Sequence, residues 1–442
     1  MDEIFGEMYS TERNVFSSTS FPHNCESILQ TGRKSALDQR AAFVLIVVLF
    51  FTWGFLTSLN DVLVADLRSI FHLSYRSATL VQFTFFSSCF FFSFPSSRLV
   101  TSVGYKLTMI VGLIIMCLGA LCFVHASGVT TFGFFLFALS VMAGGSTALQ
   151  TAAGPYVSFL GTEESASSRF SIALGINSLG AMLAPGFGAT FILHDVHLSS
   201  ASQAASLRLP YLGIAVALLC VALVLLGARL PPIRTPASSI DTSIELASYR
   251  GLLRHPKLLF GVVAMLLYVG AEISIGSLLI NFLGQADTSA LAPRQAALLA
   301  SLYGGGMMIG RCLAPLVLGR YRPQRVLSLA AALAVFLVLT SIVSAGKVAS
   351  FSLIAVGLCN SIMVPVIFTT AISGLGALTA KGSGLLVAAL VGGALIPVGQ
   401  GTVADHIGLH RSFLVPAACY VAIFAYGRYS DGVSSAIPTG TS

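Results

Sequence analysis

Two carboxylates stand inside long apolar runs of the sequence, where an ionised group is costly unless it meets a cavity or a partner. Asp61 lies within the run Phe43–Ile70, and Glu272 lies deep in a later run that begins near residue 257. Along a helix, Glu272 lies about 22 Å from the start of its run, past the midplane of an apolar core ~30 Å thick. Both carboxylates therefore predict functional sites within membrane-spanning helices.

Asp61 has a second interpretation, because Arg68 follows it at the end of the same run. This spacing is also compatible with a position at the depth of the lipid headgroups, where water solvates the carboxylate. The residues three, four and seven positions earlier favour the buried site, since they place a narrow polar and small stripe on the same helix face. These residues are Ser58, Thr57 and Gly54.

Amide and aromatic side chains with hydrogen-bonding groups occur in the other apolar runs, where each needs a partner or water. We take them, with Glu272, as candidate substrate-binding residues; the alternative for each amide is a hydrogen bond that only packs helices together. The candidates are Trp53, Asn60, Gln82, Gln150, Asn177, Tyr268, Asn281 and Asn360. Arg311 lies towards the end of its run, which favours a role in gating or helix packing over substrate contact.

This set of side chains fits a neutral, hydroxylated substrate such as a sugar. Amides and carboxylates hydrogen-bond hydroxyl groups, and Trp53 and Tyr268 offer aromatic faces to the apolar side of a sugar ring. An anionic substrate would need more buried cations than Arg311 alone. A cationic drug would need several carboxylates and a larger aromatic lining.

The carboxylates also offer a means of energy coupling. A carboxylate desolvated in the membrane can take up and release a proton near neutral pH, which makes Asp61 a candidate proton carrier. Two carboxylates at one site could instead hold Na⁺, and the residues leave this choice open. The cysteines are dispersed without metal-like spacing, so we expect no structural metal and no organic cofactor.

The composition places these residues in a membrane protein. Of the 442 residues, 55% are hydrophobic and 9% are charged, whereas soluble domains carry roughly 25% charged residues. At about 20 apolar residues per span, this length accommodates about twelve transmembrane helices, and we expect an all-α polytopic membrane protein. The net charge of +7 comes without a basic cluster interleaved with aromatics, so it indicates topology and not a nucleic-acid partner.

A proline- and serine-rich segment divides the apolar runs into two groups of six. The expected division is a disordered cytosolic tail over 1–40, a six-helix bundle over 41–229, a cytosolic linker over 230–256, a second bundle over 257–428 and a cytosolic tail over 429–442.

The two halves show weak self-similarity. Gln150 precedes Pro155 by five residues, and Asn360 precedes Pro365 by five. Matching broken helices in two six-helix units are typical of transporters that alternate access around a midplane site.

Lysine and arginine are unevenly divided among the predicted loops. If the N-terminus lies in the cytosol, most of them fall on the cytosolic side, as the positive-inside rule requires. Both termini then face the cytosol, and we expect the protein in the cell (inner) membrane. A single twelve-helix unit surrounded by lipid suffices for such a transporter, so we expect a functional monomer.

The same residues carry a resemblance to a known family. The chain resembles the fucose permease branch of the major facilitator superfamily from about residue 42 to 428, and YVGAEISIGS is similar to the glucose/galactose transporters of that branch. The segments concerned are WGFLTSLNDVL (53–63), LQTAAGPYVSFLG (149–161), YVGAEISIGS (268–277) and NSIMVPVIFTTAISGLG (360–376).

The resemblance implies the twelve-helix major facilitator fold, in two pseudo-symmetric bundles, and cation-coupled import of a hexose. The first-span aspartate implicated in proton coupling matches Asp61, and the fifth-span asparagine matches Asn177. The glutamate of YVGAE in the sugar-transporting relatives matches Glu272. A fourth-span carboxylate of fucose permease falls at Gln150, which can bind hydroxyls but cannot titrate. This departure shifts the expected substrate from fucose towards glucose or galactose.

The sequence therefore predicts a secondary active transporter that imports a neutral monosaccharide by proton symport with alternating access. A Na⁺-coupled hexose symporter is the alternative, and an exporter of drugs or metabolites is a further one. An enzyme is not expected, because no HExxH, GxSxG or His–carboxylate cluster occurs within a span.

Overall fold

The computed structural model describes residues 40–58, 75–129, 132–191, 208–228, 230–231, 251–252, 254–285, 288 and 293–436. Asp61 and Asn60 lie outside the described residues. Gln82 lies in a described helix, but its side chain lies outside the description.

Long helices make up the described fold, and we number them in chain order. They are α1 (Arg40–Ser58), α2 (75–103), α3 (105–129), α4 (Phe132–Phe159), α5 (Ala166–Phe191), α6 (Arg208–Gly227), α7 (Pro256–Leu283), α8 (Pro293–Leu318), α9 (Pro323–Val343), α10 (Gly346–Ile372), α11 (Gly376–Ile407) and α12 (Leu414–Ala436). Together they give the expected twelve helices of the all-α fold.

Glycine and proline determine several of the boundaries between these helices. Gly104, at φ +84°, interrupts the helical geometry between α2 and α3, a conformation that a residue without Cβ adopts readily. Pro256, Pro293 and Pro323 each occupy the first position of a helix, where the missing N–H leaves no bond unmade. These prolines explain why α7, α8 and α9 begin slightly earlier than their apolar runs.

The last helix, α12, continues to Ala436, past the predicted end of the bundle at 428. Asp431 near its end pairs with Arg325 at 3.1 Å and with Arg322 at 3.7 Å, both at the start of α9. These ion pairs hold the final turns of α12 against the second half, so the first part of the expected tail is helical.

Most of these helices are long and apolar enough to cross a membrane. Ten helical segments in the described part of the chain meet that description; the one over 83–125 covers most of α2 and α3, and α5 is not among the ten. Large apolar side chains face outward, with Leu329 71% and Val343 86% exposed. This surface suits hydrocarbon.

The N-terminal half (α1–α6) and the C-terminal half (α7–α12) meet at the end of the bundle that holds the 160–165 loop, which we call the closed end. Ser167 and Thr369 share a hydrogen bond of 2.6 Å, and Ser373 donates to Glu163 at 2.5 Å. Ser383 Oγ of α11 donates to the carbonyl of Thr151 in α4 at 2.9 Å. These bonds join the two halves.

The Thr151 carbonyl is available to Ser383 because a proline interrupts the hydrogen bonding of α4. Pro155 stands four residues later in α4 and has no N–H to close the helical bond to that carbonyl. In hydrocarbon an unpaired carbonyl is costly, so the partner must come from a neighbouring helix. The proline therefore creates a bonding site at the boundary of the two halves.

Glycines permit the close approach of α2 and α11 at the closed end. A Cβ built on Gly384 would lie 2.6 Å from Cβ of Ser97 and 3.1 Å from the carbonyl oxygen of Ser93. Higher on the same helix, a Cβ on Gly393 would lie 2.6 Å from the ring of Phe86. A larger residue at either position is incompatible with this packing.

We expect Gly384→Val to open the closed end, because overpacking costs about 1–3 kcal/mol. Alkylation of a Ser167→Cys reporter, buried between the halves and placed in a variant with the native cysteines replaced by serine, should then become faster. Gly399→Val is the matched control, since a Cβ at Gly399 meets nothing within 4 Å. Equal alkylation rates in the two valine variants would contradict the packing argument.

Candidate functional site

On the N-terminal side, Ser146 of α4 gathers two predicted site residues. The indole Nε1 of Trp53 in α1 donates to Ser146 Oγ at 3.1 Å, and Gln150 Nε2 donates to the same oxygen at 3.2 Å. Gln150 and Trp53 are both partly exposed. The carbonyl oxygen of the Gln150 amide and the faces of the indole are thus the groups available to a ligand.

Asn177 fixes α5 against α1. Its Nδ2 donates to the carbonyl of Phe50 at 2.9 Å. A Cβ on Gly54 would lie 2.1 Å from the Asn177 carbonyl oxygen, and one on Gly180 would lie 2.4 Å from the Phe51 carbonyl oxygen, so the two backbones are in contact. Asn177 is partly exposed and keeps its side-chain oxygen for other partners.

On the C-terminal side, Asn360 of α10 is the centre of a buried hydrogen-bond network. Its Nδ2 donates to Tyr303 Oη at 2.7 Å, its Oδ1 accepts from Tyr420 at 2.8 Å, and its carbonyl accepts from Tyr268 at 3.1 Å. Asn360, Tyr268 and Tyr420 have no exposed surface. The network joins α7, α8, α10 and α12.

Glu272 lies on α7 beside this network. The Tyr303 hydroxyl donates to the Glu272 carbonyl at 3.4 Å. The Glu272 carboxyl interacts with the Tyr268 hydroxyl and with the positive charge of Arg311. Since Glu272 is partly exposed, its carboxylate combines a rigid, aromatic support with an open side.

Arg311 carries a contact between the two halves. Its Nη1 donates to Ser178 Oγ of α5 at 2.5 Å, and that hydroxyl donates in turn to the carbonyl of Leu174 at 2.9 Å. A Cβ on Gly175 would lie 3.6 Å from Arg311 Cβ, so α5 and α8 approach closely at this level. The guanidinium therefore bonds to α5 and also interacts electrostatically with Glu272.

The structure sorts the predicted site residues into three groups. Trp53, Gln150, Asn177, Glu272 and Arg311 are partly exposed and belong to the contacts described above. Tyr268 and Asn360 are buried in the network that supports Glu272, and Asn281 is exposed near the end of α7.

Four polar residues of these networks were not among the predicted site residues. They are Ser146, Ser178, Tyr303 and Tyr420. Ser146 lies one helical turn before Gln150, which could have identified it, whereas Ser178 and Tyr420 meet their partners only through the tertiary fold. Among the described residues, no three His, Cys, Asp or Glu side chains gather as a metal site.

Comparison of the sequence with protein families finds one that spans most of the chain. Residues 41–397 match the model of the Major Facilitator Superfamily. A glucose/galactose transporter of Brucella abortus is 38% identical over 411 residues, covering 93% of this chain and 98% of that relative. The L-fucose-proton symporter of Escherichia coli is 31% identical over 434 residues, covering 91% and 97%.

Comparison of the fold gives the same result. The crystal structure of the major facilitator transporter FucP in the outward conformation matches with a TM-score of 0.82 at 30% sequence identity. The match covers 89% of this chain and 99% of that one. The predicted fold class and family resemblance are confirmed.

Replacement of Asn360 by alanine should destabilise the C-terminal half. The change removes the acceptor of the buried Tyr420 hydroxyl and the amide that donates to Tyr303 Oη, at ~1–3 kcal/mol for each unsatisfied group. We expect a clearly lower thermal unfolding midpoint in detergent for Asn360→Ala. Asn281→Ala, at an exposed position on α7, is the control and should unfold at the wild-type temperature. Equal midpoints for both variants would show that the network contributes little.

Proposed function

Since this chain belongs to the Major Facilitator Superfamily, we propose that it imports a neutral monosaccharide by proton symport. Its relatives are transporters, which agrees with the prediction that it is an integral membrane transporter and not an enzyme. Glucose or galactose is the proposed substrate in preference to fucose, because the chain is 38% identical to a glucose/galactose transporter and 31% identical to an L-fucose-proton symporter, and Gln150 stands where fucose permease has a carboxylate.

The observation that carries this proposal is a partly exposed polar site drawn from both halves. The N-terminal half supplies the Trp53 indole and the Gln150 amide, and the C-terminal half supplies the Glu272 carboxylate. The bond from Arg311 to Ser178 joins the two contributions. An aromatic face with neutral and anionic hydrogen-bond acceptors suits a sugar, whose hydroxyls are donors on a partly apolar ring.

The supporting residues have a separate role. Tyr268 and Asn360 hold Glu272 and the surrounding helices in place, while Asn177 holds α1 on α5. We propose that Asn60, Gln82 and Asn281 complete the polar lining of the path to the site. Asn281 lies towards the end of α7 opposite the closed end, in keeping with a place on the entry route.

Asp61 is the proposed proton carrier. Gln150 cannot titrate. A relative that is 31% identical is an L-fucose-proton symporter. Protonation of Asp61 would remove a charge from its apolar run, and this would favour movement of the halves around the bound sugar.

We further propose that the closed end faces the cytosol. Lysines and arginines at this end outnumber those at the opposite end, as the positive-inside rule requires. In this conformation sugar then enters from outside, and both termini lie in the cytosol of a cell whose inner membrane holds the protein as a monomer. Basic residues at the closed end include Arg98, Lys106, Arg169, Arg320, Arg325 and Lys381.

Na⁺ coupling is the second candidate, since Asp61 or Glu272 could hold the ion with hydroxyl and carbonyl oxygens. It requires sugar accumulation to follow the external Na⁺ concentration at constant pH. The export of drugs or metabolites requires accumulation in the opposite direction. Uptake by proteoliposomes under imposed Na⁺ or H⁺ gradients distinguishes the three.

Trp53 is the only tryptophan of the chain and should report sugar binding directly. We expect glucose or galactose to change the emission of the purified protein saturably, because the sugar ring alters the surroundings of the indole. Ser146→Ala should shift the emission before sugar is added, because the indole N–H loses its acceptor. Emission that ignores all hexoses while transport proceeds would remove Trp53 from the site.

Asp61→Asn should uncouple transport. Without a titratable group the variant should exchange labelled sugar across proteoliposomes but should not accumulate it when a pH gradient is imposed. Asp66→Asn is the control, since Asp66 stands near the end of the same apolar run and should remain dispensable. Proton-driven accumulation by Asp61→Asn at the wild-type level would refute the role of Asp61.

A further inference from the structure

Arg311 and Glu272 carry opposite charges but do not form a direct ion pair. Arg311 interacts electrostatically with Glu272, but the ion pairs found within 4.0 Å among described residues join Asp431 to Arg322 and Arg325. Opposite charges inside a membrane protein are stabilised by direct contact, and no such contact of 4.0 Å or less joins these two side chains among the described residues.

Arg311 also has an unused donor. Its Nη1 is bonded to Ser178, whereas its Nε is buried and has no hydrogen-bond partner among the described residues. A buried, unpaired N–H of a charged group is costly, which makes it a place where a ligand can supply the missing acceptor. An arginine presents its donors in a fixed fork, so the bond to Ser178 also fixes the direction of Nε.

The other groups that interact with the Glu272 carboxyl are tyrosine hydroxyls, and Arg311 is the cation that interacts with it. Tyr268 faces the carboxyl from α7 itself, Tyr303 from α8, and Tyr420 from α12 at greater distance. Each of these hydroxyls is already bonded to Asn360 or supports it. The tyrosines therefore cannot swing towards a ligand without breaking the network.

From these contacts we propose that Arg311 and Glu272 receive one hydroxyl group of the substrate between them, so that Arg311 is a specificity-determining residue. The hydroxyl donates its hydrogen to the Glu272 carboxylate and accepts from Arg311 Nε. One hydroxyl satisfies both groups at once, whereas a hydrogen atom at that ring position leaves the Arg311 Nε donor and the Glu272 carboxylate without this hydrogen-bond partner. The sequence position of Arg311 favoured a role in gating or packing. Its unpaired Nε adds a second role, which is direct contact with the sugar.

This arrangement also gives Arg311 a link to the opposite half. The guanidinium that binds the hydroxyl is held by Ser178 of α5 through Nη1. Binding of a ligand to Arg311 would therefore affect the contact between α5 and α8. The inference depends on the proposed function, because it assumes a hydroxylated substrate.

The test measures competition of D-glucose and its monodeoxy analogues against radiolabelled glucose on the purified, full-length protein in detergent. In the wild type, one deoxy analogue should bind roughly tenfold or more weakly, as expected for the loss of hydrogen bonds to charged groups. That discrimination should disappear in both Arg311→Gln and Glu272→Gln, because the same hydroxyl contacts both residues.

Two further variants separate contact from structure. Arg311→Lys keeps the charge but loses the fork, and should lose most of the discrimination; it also serves if Arg311→Gln does not fold. Ser178→Ala should weaken the discrimination only in part and should slow sugar exchange, because it removes the bond that orients Nε and joins α5 but keeps the charge and the donors of Arg311.

Two sets of results would contradict the proposals. If the variants of Arg311 or Glu272 weaken the binding of all analogues equally, or keep the wild-type discrimination, the shared hydroxyl contact is refuted and the proposed sugar transport is not. Failure of the wild type to bind any hexose would refute the proposed function and this inference with it.

Discussion

The hydrogen bond from Arg311 to Ser178 is the contact on which the rest of the site depends. It carries a positive charge from α8 of one half to α5 of the other, at the level where the two halves come together. On its other side, the same charge balances Glu272, which the membrane would otherwise penalise. One side chain thus connects the ligand site with the boundary that must rearrange during transport.

The cost of unpaired polar groups in hydrocarbon explains much of the remaining architecture. Pro155 frees a carbonyl, and Ser383 of the opposite half pairs with it. Asn360 satisfies three tyrosine hydroxyls and so keeps α7, α8, α10 and α12 in register. Bonds within a half build rigid supports, whereas the bonds between the halves among the described residues are few and can be exchanged when the closed end opens.

The fold was largely predictable because its causes are local. Apolar length, charge depletion and the proline-rich linker indicated a twelve-helix membrane protein, and prolines and glycines determined where α3, α7 and α9 begin. The sequence identified several site residues, because a polar side chain in an apolar run needs a hydrogen-bond partner or water; these are Trp53, Gln150, Asn177 and Glu272. It could not identify their partners, since Ser146 and Ser178 resemble other helix residues until the fold brings Trp53 and Arg311 to them.

The unused donor of Arg311 illustrates the same limit. Sequence position suggested gating or helix packing, because Arg311 lies towards the end of its apolar run. Only the tertiary arrangement shows that one nitrogen is bonded across the halves while another is buried without a partner. Tyr268 and Asn360 show the converse, since their polar groups bond to each other in the buried network and support Glu272 without facing a ligand.

A structure of the full-length protein with bound glucose or galactose is the most direct test of the site. We expect a sugar between the two halves, with its ring against Trp53 and one hydroxyl within hydrogen-bond distance of both the Glu272 carboxylate and Arg311 Nε. A sugar held by one half alone, or a direct ion pair between Arg311 and Glu272 in the occupied site, would contradict it.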